Sequence, residues 1–219
     1  MNAAGPASET SSRVSRDKAA TRERILGSAI AVFGERGYQA TSMDEIARRS
    51  GSSKGGVYFH FANKQAIFEA LIGELVSLLE AEVREAIGRH HGALARVDAA
   101  LTVAIRTFSA HRGLTRLLLV EANGLGHPFD QELRAARGVF LEVIESYLRH
   151  AVEEGAIAPL DTRVAACVWL GAINEVVVQW LYAESPPESS LEATLPALRS
   201  ALLGSIGVGD HGSGRQEGG

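Results

Sequence analysis

Cysteine is nearly absent from this sequence, which contains one such residue, Cys167. A single cysteine cannot form an internal disulfide, and disulfides persist mainly in oxidising compartments, so a reducing cytoplasm is the expected location. The sequence also lacks a Walker loop, a dinucleotide glycine fingerprint and the H-E-x-x-H and C-x-x-C patterns of metal and redox sites. These absences argue against an enzyme, and we expect no catalytic residues, no metal and no cofactor.

Long uninterrupted apolar runs are also missing. The richest run, Val164 to Leu181, contains Asn174, Glu175 and Gln179, and a bilayer span needs roughly 20 mostly apolar residues. No apolar segment follows a basic start at the N-terminus, so a signal peptide is not predicted. We therefore expect no membrane association.

The charge of the chain is divided unevenly. The net charge is −4, but residues 1–68 carry 10 Lys and Arg against 6 Asp and Glu, and the remainder is acidic. Such asymmetry suggests that the cationic N-terminal part binds nucleic acid and that the acidic remainder has another role. Chance fluctuation of charge along a chain is the alternative interpretation.

Apolar residues recur with helical spacing through most of the chain, and no strand-like alternation persists. We predict an all-α protein with four parts: a disordered arm (1–15), a helix-turn-helix domain (16–65), a larger helical domain (66–206) and a disordered tail (207–219). Further helices are expected near 94–111, 113–123, 130–153, 161–183 and 189–205.

Two short helices separated by a Gly-containing turn follow the first long helix. Ser42 and Glu45 have the spacing of a capping box at the start of Met43–Ser50, and the second short helix begins at Lys54. This arrangement predicts a helix-turn-helix whose second helix enters the major groove. The expected DNA contacts come from hydroxyl, amide, phenol, imidazole and ammonium groups near these helices: Thr41, Ser42, Ser53, Lys54, Gly55, Gly56, Tyr58, His60 and Lys64.

Two adjacent glycines in so short a helix require a reason, since each costs about 1 kcal/mol relative to Ala. Close approach of Gly55 and Gly56 to the groove wall is one reason, and an extended turn is the alternative. Val57 and Phe61 are expected to pack inward. Basic residues of the preceding segment either extend the DNA footprint or form a solvated face: Arg13, Arg16, Lys18 and Arg22.

The runs 25–38, 41–51 and 53–64 resemble the DNA-binding domain of the tetracycline-repressor (TetR) family over about 50 residues in order and spacing. The resemblance implies a three-helix DNA-reading head, a larger helical ligand-binding and dimerisation domain, and an operator of two inverted half-sites. It also implies that Thr41 or Ser42, Lys54, Tyr58, His60 and Lys64 match family positions that touch DNA. The sequence departs from the family pattern at three positions: Ser52, Gly56 and Ala62.

The C-terminal half contains two helices suited to a four-helix interface between two copies of the chain. The first is apolar almost all round, and the second carries leucines at i, i+4, i+7 and i+11. The predicted homodimer contacts are Val168, Val176, Trp180, Leu191, Leu195, Leu198 and Leu202. Completion of a monomeric core is the alternative.

A small-molecule pocket is expected among the middle helices, lined by apolar groups and a few polar ones. The candidates are Phe108, Arg112, Arg116, Leu119, Asn123, Phe140, Ile144, Tyr147, Trp169, Ile173 and Asn174. Ordinary core packing is the alternative for most of them, and a solvated face is the alternative for the two arginines. The runs 116–122 and 155–161 resemble the subset of the family that senses fatty acyl thioesters, so an apolar or acyl-thioester-like effector is the expected ligand.

The sequence therefore predicts a dimeric transcriptional repressor that binds a double-stranded operator and is released by a small molecule. An enzyme and an architectural DNA-binding protein without a ligand are the rival classes. The acidic body of roughly 150 residues argues against the architectural protein, because dimerisation alone needs a much shorter chain. We expect the ligand signal to reach the head through the long helix that starts near Asn63.

Overall fold

The computed structural model describes residues 6–121, 127–183 and 190–208, and this part of the chain is helical without strands. The predicted all-α fold is confirmed. The helices are α1 (Pro6–Arg36), α2 (Met43–Ser50), α3 (Lys54–His60), α4 (Lys64–Gly88), α5 (Ala93–Ala110), α6 (Arg112–Arg116), α7 (His127–Glu153), α8 (Thr162–Tyr182) and α9 (Leu195–Ser205). A π-helical turn (Leu117–Glu121) follows α6 directly, and a 3₁₀ turn (Leu191–Thr194) leads into α9.

We call α1, α2, α3 and α4 as far as Leu75 the head. The ends of its helices follow from local sequence. Ser42 caps α2: its hydroxyl accepts from the backbone N–H of Glu45, whose carboxylate accepts from the Ser42 N–H at 3.0 Å. This is the predicted capping box. Gly51 ends α2 with φ +65° and Gly37 follows α1 with φ +78°, both in the left-handed region that glycine tolerates best.

The first helix is longer than the sequence suggests. Residues 6–15 were expected to be part of a disordered arm, but α1 begins at Pro6, so this prediction is wrong for residues 6–15. Proline is favoured in the first turn of a helix, and elongating an existing helix avoids the cost of nucleation. Residues 1–5, and 209–219 of the predicted tail, lie outside the described residues.

Two hydrophobic cores divide the chain. The first joins α1, α2 and α3 to α4 as far as Leu75, and the second begins at Leu79 on α4 and includes residues of α5, α7, α8 and α9. Four residues beyond α5 belong to the first core: Leu114, Leu117, Leu118 and Ala136. We call α5 to α9, with the rest of α4, the body. The core of the head is therefore completed by side chains from the body.

The junction between the two parts is closely packed. A Cβ on Gly113 of α6 would lie 2.8 Å from Cγ2 of Ile30 on α1. Leu119, in the π-helical turn, packs against both cores. Helix α6 and the π-helical turn thus connect the two cores physically.

Helix α8 is long and apolar enough to cross a membrane by length and composition alone, and no other helix of the described residues meets that test. A core helix of a globular protein passes the same test. Here, one side of α8 is buried in the second core through Ala166, Trp169, Ile173 and Val177.

We predict that Gly113→Ala destabilises the protein by about 1–3 kcal/mol, because the added methyl overpacks the contact with Ile30. Gly73→Ala is the matched control: no atom lies within 4 Å of a Cβ there, so we expect stabilisation of about 0.5–1 kcal/mol from helix propensity. Urea denaturation followed by circular dichroism measures both. Equal effects of the two substitutions would contradict the close packing of α6 on α1.

Candidate nucleic-acid interface and effector cavity

Helix α3 presents one buried and one open face. Ser53 caps it by accepting from the N–H of Gly56 at 3.0 Å, and Val57 and Phe61, one turn apart, are buried. At about 100° per residue, Gly55 and Phe59 lie on the side of α3 opposite Val57. No atom lies within 4 Å of a Cβ placed on Gly55, so packing within the protein does not explain this glycine.

Several predicted DNA-contacting residues are accessible on the same surface. Tyr58 is 45% exposed, and Ser42, Ser53 and Lys54 are also exposed. The Lys54 Nζ lies 2.9 Å from Asp44 Oδ1, with both side chains 63% exposed, and this hydrogen-bonded partner raises the pKa of Lys54. Exposed ion pairs contribute little to stability, so Lys54 can exchange Asp44 for a nucleic-acid group at small cost.

Two predicted phosphate contacts are contradicted by their side-chain surroundings. Thr41 is 4% exposed, and its hydroxyl donates to the Gly37 carbonyl at 2.8 Å. Lys64 directs its ammonium to the carbonyls of Tyr38, Gln39 and Thr41 at 2.6, 3.2 and 2.9 Å. Because an ammonium has three protons, Lys64 is fully engaged in fastening α4 to the α1–α2 turn.

His60 is less accessible than predicted and lies in a cationic environment. The side chain is half-buried at the end of α3. Burial lowers the pKa of His60, and the charges of Lys18 and Arg22 lower it further.

Phe59 is a surface residue that the sequence-based prediction missed. Its side chain is 70% exposed, and the Lys18 Nζ lies 5.0 Å from the ring centroid. The signal was present in the sequence: Phe59 is two residues from both Val57 and Phe61, so it lies on the opposite side of the helix.

A first cavity of about 220 Å³ lies between α4, α5, α7 and α8. Most of its lining is apolar, with a few polar groups at its edge. Of the eleven predicted ligand residues, six line it: Phe108, Phe140, Ile144, Tyr147, Trp169 and Ile173.

A second cavity, of about 730 Å³, shares the Phe108, Phe140 and Leu170 wall with the first. Its lining is more polar and includes Arg134, Arg137 and Glu175. Two further predicted residues, Leu119 and Asn174, line this cavity. The first cavity is thus mainly apolar, and the second, behind the shared wall, contains two cationic side chains and one carboxylate.

The remaining predicted ligand residues do not line either cavity. Arg112 donates to the Leu181 carbonyl at 2.9 Å and stacks on Trp180 at 4.7 Å, so it is held on α8. Arg116 lies 3.6 Å from Glu121. Both arginines are thus engaged with the protein itself, their assignment to a ligand site stays a prediction, and Asn123 lies outside the described residues.

Comparison with known proteins places this architecture in a family. Residues 25–71 match the family model for bacterial regulatory proteins of the tetR family. Residues 90–184 match the model of the tetracyclin repressor-like C-terminal domain, so the matches cover about two thirds of the chain. The chain belongs to the TetR family.

Curated relatives match most of this TetR chain. The HTH-type transcriptional regulator SrpR of Pseudomonas putida is 27% identical over 83% of this chain and 85% of its own. The HTH-type transcriptional regulator AcrR of Shigella flexneri is 29% identical over 79% and 84%. The protein is therefore a helix-turn-helix transcriptional regulator.

A solved structure confirms the TetR fold. The transcriptional regulator FadR of Bacillus subtilis, crystallised with stearoyl-CoA, superposes with a TM-score of 0.76 at 21% identity. The alignment covers 84% of this chain and 98% of FadR. At this identity the likeness establishes the fold.

The leucines predicted to form a dimer interface face the protein's own core instead. Leu191, Leu198 and Leu202 are 0%, 6% and 3% exposed and pack in the second core, so their assignment to an interface is wrong. Leu195, Val176 and Trp180 are partly buried against the same core. These leucines form the apolar face that the sequence predicts, but α5 and neighbouring helices of the same chain cover that face.

A different surface of α8 and α9 is open in this TetR chain. Val168, a predicted dimer residue, is 56% exposed, and Val164 and Tyr182 are 57% and 60% exposed. With Gly171 and Glu175 they form one stripe along α8, which we call the α8 stripe. Gly171, Glu175 and Tyr182 at its C-terminal end also line the second cavity, so the part clear of both cavities is the N-terminal end with Val164 and Val168. Exposed small residues on α9 have the same helical spacing: Ala197, Ser200, Ala201 and Gly204.

We predict that Gly55→Ala raises the stability of the protein and lowers its affinity for DNA. The substitution should stabilise the isolated protein by up to about 1 kcal/mol, because Ala is the better helix former and the site is open. If the backbone of α3 approaches the groove wall, the same methyl should weaken DNA affinity about tenfold or more. Thermal denaturation and fluorescence anisotropy measure the two quantities. Unchanged affinity would show that Gly55 does not approach DNA.

Proposed function

We propose that this TetR-family regulator is a cytoplasmic, ligand-responsive repressor, without enzymatic activity, that binds an inverted-repeat operator as a homodimer. The observation that carries the proposal is the open face of α3, where Gly55 and Phe59 lie opposite the buried Val57 and the exposed Tyr58 lies beside Phe59. A helix exposed in this way has the dimensions needed to enter a major groove.

The supporting groups around α3 suit DNA. Lys54 lies at its first turn, and Lys18 and Arg22 from α1 lie near its end. Ser42 and Ser53 place hydroxyls beside the N-termini of α2 and α3, where phosphate contacts are favourable. Phosphate contacts set the register of α3, and the open face of α3 reads the bases.

The α8 stripe and the small residues of α9 support a homodimer. Val164 and Val168, one turn apart, expose large apolar side chains on one face of α8, and Tyr182 does so at its end. Exposed apolar side chains grouped in this way favour an interaction site. Trp169 Nε1 donates to Ser205 Oγ at 3.1 Å, which ties α8 to α9. Two copies of this pair of helices form a four-helix interface with two-fold symmetry, which suits an inverted repeat.

The two cavities suit an amphipathic anion such as an acyl thioester. The first cavity provides apolar lining for a chain, and the second provides Arg134 and Arg137, which can bind phosphate through paired N–H groups. FadR of Bacillus subtilis, of the same fold, was crystallised with stearoyl-CoA. We therefore propose a coenzyme A thioester as the effector class.

Two elements link the cavities to the head. Leu79 and Val83 of α4 line the first cavity, and the earlier turns of α4 are part of the head core. Leu118 and Leu119 line the second cavity and also pack on the head core. Suppose that a ligand binds one arrangement of these elements more tightly than another. It then shifts the equilibrium between the corresponding head orientations by the ratio of the two affinities.

Operator binding and dimerisation are tested together. Selection from random duplexes should yield an inverted repeat that binds two subunits in an anisotropy titration. Val168→Asp buries an unpaired carboxylate in the interface on both sides, so we expect a monomer by light scattering and roughly 100-fold weaker operator binding.

The control is Ala95→Asp, at an exposed position of α5 that belongs to neither α8 nor α9. It should remain a dimer with the wild-type affinity. A dimeric Val168→Asp protein would show that the interface lies elsewhere, and failure to select any duplex would contradict the repressor function.

The effector class is tested by thermal shift with stearoyl-CoA and shorter acyl-CoA molecules. A saturating ligand at about 100 times its Kd stabilises the native state by roughly 2.7 kcal/mol, which raises the Tm by about 5–10 °C. Replacing both Arg134 and Arg137 by Ala should weaken binding about tenfold or more. Arg149→Ala, on the same helix but not lining either cavity, is the matched control.

The same ligands should release the operator in the anisotropy assay. Coenzyme A alone and free stearate separate the contributions of the two ends of the molecule. If no acyl-CoA changes either the Tm or operator binding, the acyl-thioester assignment is wrong, while the DNA-binding function stands on its own experiment.

A further inference from the structure

Phe59 is the most exposed of the large apolar side chains reported for the described residues. A single exposed apolar residue on a protein surface is ordinary, but Phe59 lies on the open face of the proposed DNA-binding helix. It lies opposite both Val57 and Phe61, and Gly55, one turn earlier, leaves open space beside it. When α3 lies in a major groove, this side of the helix points toward the floor of the groove.

The side chain of Lys18 covers one face of the Phe59 ring, with Nζ 5.0 Å from the centroid. Across the part of the chain that the structure describes, no carboxylate forms an ion pair with Lys18. Arg22, one turn later, differs: it pairs with Glu74 at 2.6 Å and stacks on Phe61 at 5.4 Å. Lys18 therefore keeps an uncompensated positive charge beside Phe59.

Lys18 belongs to a part of α1 that does not build the head core. Among the residues whose burial is described, Ile25 is the first buried one of α1. The family model also begins at residue 25. Lys18 therefore lies outside the match to the family model, whereas Phe59 lies within it.

We propose that Phe59 and Lys18 form a pair that favours thymine at one position of each operator half-site. The Phe59 ring packs on the C5-methyl group of the thymine, and Lys18, held against the ring, contacts a phosphate of the adjoining backbone. This inference rests on the proposed DNA-binding function.

The chemistry of the major groove identifies the base. The edges of adenine, guanine and cytosine present hydrogen-bond donors and acceptors there, whereas thymine adds a methyl group. A phenyl ring has no hydrogen-bonding atom and gains only from apolar contact. The positive charge of Lys18 is attracted both to the ring face and to phosphate, so it holds the ring near the backbone.

The test removes the methyl group from the DNA. In the operator obtained by selection, each thymine is replaced in turn by deoxyuridine, which lacks only that methyl. For wild-type protein we expect one position per half-site at which affinity falls about fourfold, and about sixteenfold when both half-sites are changed.

The protein variants complete a double-mutant cycle. Phe59→Ala should lose sensitivity to deoxyuridine at that position, and Phe59→Leu should retain part of it. Because Phe59 is exposed, both variants are expected to fold, which circular dichroism checks. If methyl sensitivity is the same in Phe59→Ala and wild type at every thymine, the thymine-reading proposal is overturned.

Lys18→Gln tests the phosphate contact while retaining a polar side chain of similar reach. The slope of log affinity against log salt should decrease by about 0.9 for each subunit, with equal effect on selected and scrambled DNA. Arg149→Ala, on α7, should leave the slope unchanged. An unchanged slope in Lys18→Gln overturns the role of Lys18, and failure of wild-type protein to select any duplex overturns both this inference and the proposed function.

Discussion

The head of this protein cannot complete its hydrophobic core without the body. Leu114, Leu117 and Leu118 follow α5 in sequence, yet they are buried against α1 and the first half of α4. Gly113 permits this contact, because its missing side chain allows α6 to approach Ile30. Protein interiors are close-packed and transmit displacement instead of absorbing it. The proposed communication between the two parts therefore relies on the packing of α6 against α1.

The same packing explains why the cavities are where a regulator needs them. The part of α4 that follows Leu75 lines the first cavity, and the π-helical turn lines the second. These two elements also contact the head. π-Helical turns are rare and occur frequently at functional sites. Here the turn brings Leu119 into contact with both cores. The proposed ligand between α5, α7 and α8 would border the helix and the turn that contact the head.

Much of this structure could be predicted from local sequence rules, and most of the residues that could not share a cause. The capping box of Ser42 and Glu45, and the cavity-lining positions on α5, α7 and α8, depend on helical spacing and residue type. Lys64 and the α9 leucines have surroundings that come from distant segments, whereas the Thr41 hydroxyl bonds locally to the Gly37 carbonyl. Lys64 binds carbonyls 23 to 26 residues away, and Leu198 is covered by helices of the same chain. Periodicity shows that a face is apolar but does not show which neighbour covers it.

The sequence by itself determined the helical class, the caps and turns of the head, and the identity of the reading helix. These features depend on interactions within a few residues, where backbone geometry leaves few choices. Only the tertiary structure decided which lysines are available to DNA, which apolar stripe stays open on α8, and where the two cavities meet. Burial depends on contacts between segments far apart in the chain. The sequence alone favoured Lys64 as a DNA contact and passed over Phe59, whereas packing engaged the Lys64 ammonium with three carbonyls and left Phe59 exposed.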